Sequence, residues 1–195
     1  RSRHPDLPLY LFGHSMGGLI ALDQALHYPG GLSGVIASAP HLGNAPVSAV
    51  KLAAARVLSR MWPSLNMSAG LDETGLSRDE AVRHAYVDDP LVHGKGTPRL
   101  ATELDAAISE TQANARQLEI PLLIYHGSGD RLTNPEDSKR FYEHVQNENK
   151  RLIIYEGGYH ESHNDLHSDE VVMNIVQWID SQLRIGAQEQ VKQDG

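Results

Sequence analysis

The chain has 195 residues, a formal net charge of −8 and no cysteine. This length fits one globular domain with a substantial core, and the acidic balance argues against a nucleic acid partner. The absence of cysteine excludes disulfides, a thiolate nucleophile and cysteine-based metal sites. It leaves the compartment open, and the cytoplasm is the default expectation. The apolar runs are far shorter than the ~20 residues that a membrane-spanning helix needs.

Four short apolar segments predict β-strands, and helical patterns follow three of them directly. The predicted strands cover residues 8–12, 32–39, 122–125 and 152–155. The predicted helices cover residues 16–27, 135–145 and 168–183. Short continuous apolar runs are typical of parallel strands that helices cover on both faces. The pattern therefore predicts an α/β fold with a mostly parallel sheet.

Residues 42–117 interrupt this alternation, because a crossover between parallel strands needs only about a dozen residues. Helical patterns within them predict a helical cap or lid, inserted between the second and third strands and facing the substrate. The predicted cap helices cover residues 47–61, 77–85 and 98–115, the second opened by a serine cap. The predicted organisation is a core segment at 1–41, the cap at 42–117, a second core segment at 118–185 and a flexible tail at 186–195.

A G-x-S-x-G motif at residues 13–17 lies between the first predicted strand and its helix. In this context the sharp turn presents the hydroxyl of Ser15 at the carboxyl edge of the sheet. The adjoining helix N-terminus favours negative charge at the same place. The alternative is a chance match in an ordinary turn. The surrounding strand and helix, with the additional Gly18, favour a catalytic serine.

A serine nucleophile needs a histidine to accept its proton and an acid to orient that histidine. Asp130 follows the third strand and His160 follows the fourth, so both lie at the carboxyl edge of the predicted sheet. The order Ser, Asp, His along the chain is that of the α/β-hydrolases. Asp130 could instead be a surface or helix-capping acid, and His163 competes with His160 for the role of base. The position nearer to the strand favours His160.

Together these motifs resemble the monoacylglycerol lipase group of serine hydrolases, sometimes classed with lysophospholipases. The resemblance extends from about residue 8 to residue 183 and rests on LFGHSMGG at 11–18, AP at 39–40, DDPL at 88–91, G-x-x-D-R-L at 127–132 and Y-E-G-x-Y-H-x-x-H at 155–163. It implies an α/β-hydrolase fold, with Ser15 as nucleophile, Asp130 as acid and His160 as base.

The resemblance also implies residues that contact the substrate. The backbone N–H of Met16 would form half of the oxyanion hole, and Tyr86 and His163 would lie near the glycerol leaving group. The simpler interpretations are a packed tyrosine in the cap and a solvated histidine in a loop.

The chain departs from the resembling group before the motif. That group has eight strands, and the loop with the second oxyanion donor precedes the serine by several tens of residues, whereas twelve residues precede Gly13 here. We therefore expect this chain to correspond to the C-terminal part of such an enzyme. An N-terminal segment or a second chain would complete the sheet and supply the missing donor.

Two other features have competing interpretations. His160, His163 and His167, with Asp165 and Asp169, could bind a metal. A catalytic metal would be redundant beside a serine triad, so we predict no metal and no cofactor. The cap also carries an apolar stripe that would either pack in a core or form an exposed mouth for lipids, with transient contact to a membrane surface. The stripe comprises Val50, Leu52, Ala53, Val57, Leu58, Met61, Trp62 and Leu65.

The predicted function is hydrolysis of small, singly acylated lipid esters, monoacylglycerols or lysophospholipids, through an acyl-enzyme on Ser15. Another serine hydrolase activity on the same fold, a peptidase or an acyltransferase, is the first alternative, because fold does not determine substrate. A non-catalytic binding protein, or a fragment that is inactive without the missing segment, is the second.

Overall fold

The computed structural model describes residues 4, 7–43, 49–68, 70 and 72–193. In chain order its strands and helices are β1 (Tyr10–His14), α1 (Met16–His27), β2 (Gly34–Ser38), α2 (Ala49–Met61), β3 (Met67–Ser68), α3 (Glu80–Asp88), β4 (Lys95–Gly96), α4 (Pro98–Asn114), β5 (Leu122–Gly127), α5 (Pro135–His144), β6 (Lys150–Tyr155) and α6 (Ser168–Gln193).

Within the described residues the main sheet has four parallel strands, as the sequence predicts, and their order is β1, β2, β5, β6. Strands β2 and β5 are buried along their whole length, which explains why their sequences are continuously apolar. The carboxyl ends of neighbouring strands are in register: His14 pairs with Ser38, and Gly127 pairs with Tyr155. The loops that follow the four strands therefore meet at one edge of the sheet.

Helices cover both faces of this sheet. Side chains alternate between the faces along β5, because successive residues of a strand point in opposite directions. Leu122 and Ile124 pack in the larger core, which also contains side chains of α1, α4 and α5. Leu123 and Tyr125 belong to the second core, where Val171 and Trp178 of α6 pack. This three-layer arrangement is that of an α/β fold.

The insertion between β2 and β5 contains α2, α3 and α4. Helix α2 packs against α4, and the short strands β3 and β4 pair antiparallel. The β3–β4 pair was not predicted, because strands of two residues have no detectable periodicity. Helix α4 begins after Thr97, whose side chain accepts a hydrogen bond from the N–H of Leu100 at 3.1 Å. Its buried Ile108 joins the larger core, so α4 connects the insertion to the sheet.

Helix α3 begins three residues later than predicted. Its N-cap is Asp79, whose carboxylate accepts a hydrogen bond from the N–H of Ala81 at 2.8 Å. The predicted cap, Ser77, instead donates its hydroxyl to the backbone carbonyl of Asn164 at 2.9 Å. The prediction of a serine cap was wrong because this long-range contact holds Ser77 ahead of the helix, where its oxygen accepts the N–H of Asp79 at 3.0 Å and Asp79 takes the cap position.

Helix α6 continues to Gln193, ten residues beyond its predicted end. It therefore includes residues 186–193, for which we predicted a flexible tail. These residues are mainly Ala, Gln, Glu and Lys, which favour helix, and the single Gly186 costs only about 1 kcal/mol. Within the described part of the chain, even this helix of 26 residues is too polar to cross a membrane.

Candidate active site

Ser15 lies at the sharp turn between β1 and α1. Its backbone has φ 54° and ψ −119°, an unfavourable conformation for a residue with a side chain. Backbone hydrogen bonds to the end of β2 and the loop after it help to hold it: its N–H donates to the carbonyl of Ser38 at 2.9 Å, and its carbonyl accepts from the N–H of His41 at 3.0 Å. The strained turn places Ser15 at the carboxyl edge of the sheet and at the N-terminus of α1.

The turn is possible because glycines allow β1 and α1 to approach closely. A Cβ atom on Gly13 would collide with the backbone carbonyl of Gly17 and would lie 2.9 Å from the Cβ of Ala21. A Cβ atom on Gly18 would lie 2.9 Å from the Cβ of Pro40. By contrast, apart from its chain neighbours and the nearby backbone of α1, no atom of the described residues lies within 4 Å of the place where Gly17 would carry its Cβ. Space therefore requires glycine at positions 13 and 18.

The first amides of α1 border the same turn. The N–H groups of Gly18 and Leu19 donate to the carbonyl of Ser15 at 2.9 and 3.2 Å. The N–H of Met16 has no backbone acceptor among the contacts of the described residues. It is therefore available to stabilise an oxyanion beside Ser15, the role predicted for it.

His160 and Asp130 form a buried pair. The Nδ1 atom of His160 lies 2.7 Å from Oδ2 of Asp130, and the two side chains are 5% and 0% exposed. A carboxylate oxygen only accepts hydrogen bonds, so Nδ1 carries a proton and, in the neutral imidazole, Nε2 is free to accept one. The insertion also holds the histidine loop, because the N–H of Glu161 donates to the carbonyl of Leu76 at 2.8 Å.

Hydrogen bonds keep the Asp130 carboxylate ionised. Oδ1 accepts from the N–H groups of Leu132 and Thr133 at 2.8 and 3.0 Å, and Oδ2 accepts from the Thr133 hydroxyl at 2.8 Å. Burial raises the pKa of Asp130, but the hydrogen bonds from His126, His160 and Thr133 outweigh it and hold the pKa well below its usual range. The carboxylate can therefore stabilise a positive charge on His160.

A cavity of about 230 Å³ brings the predicted nucleophile and base together. Its lining residues are His14, Ser15, His41, Asp72, Glu73, Leu76, Tyr86, Leu132, Thr133, His160 and Glu161. No hydrogen bond joins the Ser15 hydroxyl to His160 in the described part of the chain. Such catalytic hydrogen bonds often shorten only when substrate binds.

The two predicted substrate contacts occupy different places. Tyr86 of α3 lines the cavity, where burial and the negative charges of Glu161 and Glu73 raise its pKa. His163 is not among the lining residues. It packs against the far side of His14, with ring centroids 4.9 Å apart, and its Nδ1 lies 3.3 Å from the hydroxyl of Tyr125. Contact between His163 and a substrate stays a prediction.

Sequence reasoning missed four polar residues of the site. His14 and His41 line the cavity, Thr133 bonds Asp130, and His126 approaches Asp130 from β5. Burial, together with the neighbouring charges of His160 and His163, lowers the pKa of His14 to about 3. Its position inside the G-x-S-x-G motif was a signal that we did not use. The other three residues become visible only when separate loops are folded together.

A second cavity, of about 480 Å³, lies within the insertion and shares no lining residue with the first. Apart from Ser68 and Thr97, nonpolar residues from α2, α4 and the β3–β4 pair line it, including Leu58, Met67 and Leu104. Side chains of the predicted apolar stripe lie nearby, and Val57, Met61 and Trp62 are between 55% and 59% exposed. These three do not pack in a core. The side chains of Val50 and Leu52 lie outside the described residues.

Comparisons with known proteins agree with this architecture. The family described as serine aminopeptidase S33 matches residues 1–167. The monoacylglycerol lipase of Mycolicibacterium smegmatis is 36% identical over 92% of this chain and 65% of its own length. The monoglyceride lipase of Homo sapiens is 34% identical over 90% of this chain and 59% of its own length.

A solved structure of a similar protein has the same fold. The monoacylglycerol lipase of Paleococcus ferrophilus matches with a TM-score of 0.85 and 34% identity, over 90% of this chain and 69% of that one. This chain thus spans about three fifths of the length of the two lipases above. The chain belongs to the serine aminopeptidase S33 family and has the α/β-hydrolase fold of the monoacylglycerol lipases.

Proposed function

We propose that the protein is a serine ester hydrolase that cleaves monoacylglycerols through an acyl-enzyme on Ser15. One observation carries the proposal. Ser15, in its strained turn, shares a cavity with His160, and the Nδ1 atom of His160 lies 2.7 Å from a buried carboxylate of Asp130. A nucleophile, a base and an orienting acid in this chain order are what acyl transfer by a serine hydrolase requires.

The proposed reaction has two halves. Nε2 of His160 takes the proton of the Ser15 hydroxyl as its oxygen attacks the ester carbonyl, and the N–H of Met16 stabilises the oxyanion. The tetrahedral intermediate collapses, and His160 gives its proton to the departing glycerol oxygen. Water, deprotonated by His160, then attacks the acyl-enzyme. Fatty acid leaves, and the Ser15 hydroxyl is restored.

The charge of the cavity favours a neutral leaving group. Its lining includes three carboxylates, Asp72, Glu73 and Glu161, and no lysine or arginine. Arg131 lies 3.7 Å from Asp72 and partly offsets it, but Glu73 and Glu161 form no ion pair within the described residues. A phosphate next to these carboxylates would be repelled, whereas glycerol hydroxyls can donate to them. This supports a monoacylglycerol over a lysophospholipid.

The insertion offers apolar surface for the acyl chain. We assign the acyl chain of the substrate to the side of the insertion that carries the 480 Å³ cavity. The exposed side chains of Val57, Met61 and Trp62 would let the same region touch a membrane surface while substrate enters.

Matched substrates test the function. We expect fatty acid release from a monoacylglycerol at least about tenfold faster than from a lysophosphatidate with the same acyl chain, since a difference of 1.4 kcal/mol already gives this factor. Ser15→Ala should abolish release, whereas Ser109→Ala, at an exposed position on α4, should not change it. Faster cleavage of an amino acid p-nitroanilide than of the ester would instead favour a peptidase. Equal activity of the Ser15→Ala variant would refute the mechanism.

The free edge of β1 points to additional polypeptide. β1 is an edge strand of the described sheet; Phe12 on it is 49% exposed, and Leu9, which directly precedes it, is 43% exposed. Ile20 of the adjacent α1 is 57% exposed. We propose that a preceding segment of the same protein pairs with this edge and supplies the second oxyanion donor.

Residues 1–195 expressed alone should therefore self-associate and show at least about 10²-fold lower turnover than the protein with its preceding segment. Recovery of turnover by an unrelated second chain would identify a different occupant of this edge. A monodisperse monomer in light scattering, with full turnover, would refute the proposal.

A further inference from the structure

His126, near the carboxyl end of β5, is a buried histidine that the proposed mechanism does not use. Its side chain is 0% exposed, and it is not among the residues that line the Ser15 cavity. Its Nε2 atom lies 3.0 Å from Oδ2 of Asp130, and its Nδ1 atom lies 2.9 Å from the hydroxyl of Ser138. A polar side chain buried this deeply is expected to have a specific hydrogen-bonding role.

The neighbours of His126 determine where its proton lies. Nε2 faces the Asp130 carboxylate and also the backbone carbonyl of Thr133 at 3.3 Å, and both groups only accept hydrogen bonds. Nε2 therefore carries a proton and donates it towards Asp130. Nδ1 can then accept the hydroxyl proton of Ser138, which is fully buried on α5. Ser138 stabilises the tautomer that serves Asp130.

Two histidines thus share one carboxylate oxygen. Oδ2 of Asp130 accepts from His160 at 2.7 Å, from the Thr133 hydroxyl at 2.8 Å and from His126 at 3.0 Å. Two backbone N–H groups hold the other oxygen, Oδ1. The donors on both oxygens fix the rotation of the carboxylate. Those on Oδ2 each stabilise part of its negative charge, so less of that charge acts on any one donor.

We propose that His126, oriented by Ser138, is a positioning residue that holds Oδ2 of Asp130 against His160 and limits how much negative charge Asp130 presents to it. This inference rests on the proposed function only in taking Asp130 and His160 as the catalytic pair. The hydrogen bonds that carry it exist in the resting protein, so it can be tested without substrate.

Replacing His126 by leucine removes one donor from Oδ2. Asp130 then presents more negative charge to His160, so Oδ2 becomes a stronger acceptor for the Nδ1 proton of His160. The carboxylate is also less firmly oriented, so kcat should fall. The other titratable groups around His160 are His14, His41, His163 and Glu161, and none of them is altered by the substitution.

The experiment is proton NMR of the His160 Nδ1–H signal in the resting protein, together with kcat and KM for a soluble monoester, in His126→Leu, His126→Gln and Ser138→Ala. We expect the His126→Leu variant to move the His160 Nδ1–H signal to lower field, because its acceptor Oδ2 is stronger. It should lower kcat by roughly tenfold, the order of one hydrogen bond to a charged group. KM should stay within about twofold, because His126 does not line the cavity. Glutamine keeps an N–H donor and should restore most of both properties.

The Ser138→Ala variant should move the His160 Nδ1–H signal in the same direction by a smaller amount, because His126 stays in place and only its tautomer is released. A folded His126→Leu protein with an unchanged His160 Nδ1–H signal overturns the proposal, whether or not the protein hydrolyses esters. If leucine prevents folding, an unchanged signal and unchanged kcat in the Ser138→Ala variant overturn it. A loss of kcat that glutamine does not restore at all also overturns it.

Discussion

Arg78, a partly exposed side chain, forms an ion pair with the buried Asp165, and this pair connects the insertion to the loop of His160. Nε of Arg78 lies 2.9 Å from Oδ2 and 3.1 Å from Oδ1 of Asp165. The Asp165 side chain is 0% exposed and also accepts hydrogen bonds from the backbone N–H groups of Arg78, Tyr159 and Leu166, each at 2.9 Å. Tyr159 directly precedes His160. Replacing Arg78 by alanine should therefore affect both stability and the catalytic loop.

The magnitude follows from what the substitution leaves behind. Breaking a buried ion pair by removing one partner costs about 3–5 kcal/mol, because the other charge stays buried. In the Arg78→Ala variant three backbone N–H groups still bond the Asp165 carboxylate, so we expect the lower end, about 3 kcal/mol. Arg99→Ala is the control. Arg99 pairs with Glu103 on the surface of α4, where both side chains are more than half exposed, and its loss should cost less than about 0.5 kcal/mol.

Urea unfolding followed by circular dichroism at pH 7 measures both variants. The pH dependence gives a second test. Burial raises the pKa of Asp165, but the backbone N–H groups and Arg78 lower it more, so its net pKa is depressed. The corresponding stability is present above the unfolded pKa of about 3.9 and is lost as pH falls through the folded pKa. The difference in unfolding free energy between wild type and Arg78→Ala should therefore become smaller below pH ~4. If Arg78→Ala lowers the unfolding free energy at pH 7 no more than Arg99→Ala does, the reasoning is refuted.

Three further predictions concern other parts of the molecule. Gly13→Ala should lower the unfolding free energy by more than about 2 kcal/mol, because its Cβ would collide with the Gly17 carbonyl, whereas Gly17→Ala should not destabilise; equal melting temperatures would contradict this. Between pH 7 and 4, unfolded His14 binds a proton that the folded residue, with its pKa of about 3, does not bind, so the protein loses stability over this range. His14→Gln should reduce that loss by at most about 3 kcal/mol. Parallel pH profiles of the unfolding free energy for wild type and variant, measured in urea, would contradict this. Trp62→Ser should lower kcat/KM for long-chain monoesters about tenfold more than for short-chain ones. An equal fall in kcat/KM for both would show that Trp62 does not recognise the acyl chain.

The parallel sheet could be predicted because each of its strands is a short apolar run bounded by polar or glycine residues. The comparisons confirm the α/β-hydrolase fold inferred from those runs and from the motif at Ser15. Asp130 and His160 could be proposed because each follows its strand directly in sequence, and parallel strands bring such loops to one edge. Their catalytic roles stay predictions.

The rest depends on contacts between distant segments. Asp165 was considered as a metal ligand on local spacing, but the fold pairs it with Arg78, 87 residues earlier in the chain. Ser77 was expected to cap a helix, and a carbonyl 87 residues later takes its hydroxyl instead. Periodicity and capping patterns report only local preferences, so neither contact could be read from them.

The central claim is that His160 and Asp130 activate Ser15 as a nucleophile. Labelling the protein with a fluorophosphonate and mapping the adduct by peptide mass spectrometry tests it most directly. We expect one rapidly formed adduct, on the peptide that contains Ser15. It should be absent in Ser15→Ala and form at least about 10³-fold more slowly in His160→Ala. Equal labelling of the Ser15→Ala variant, or an adduct on a different residue, would contradict the account.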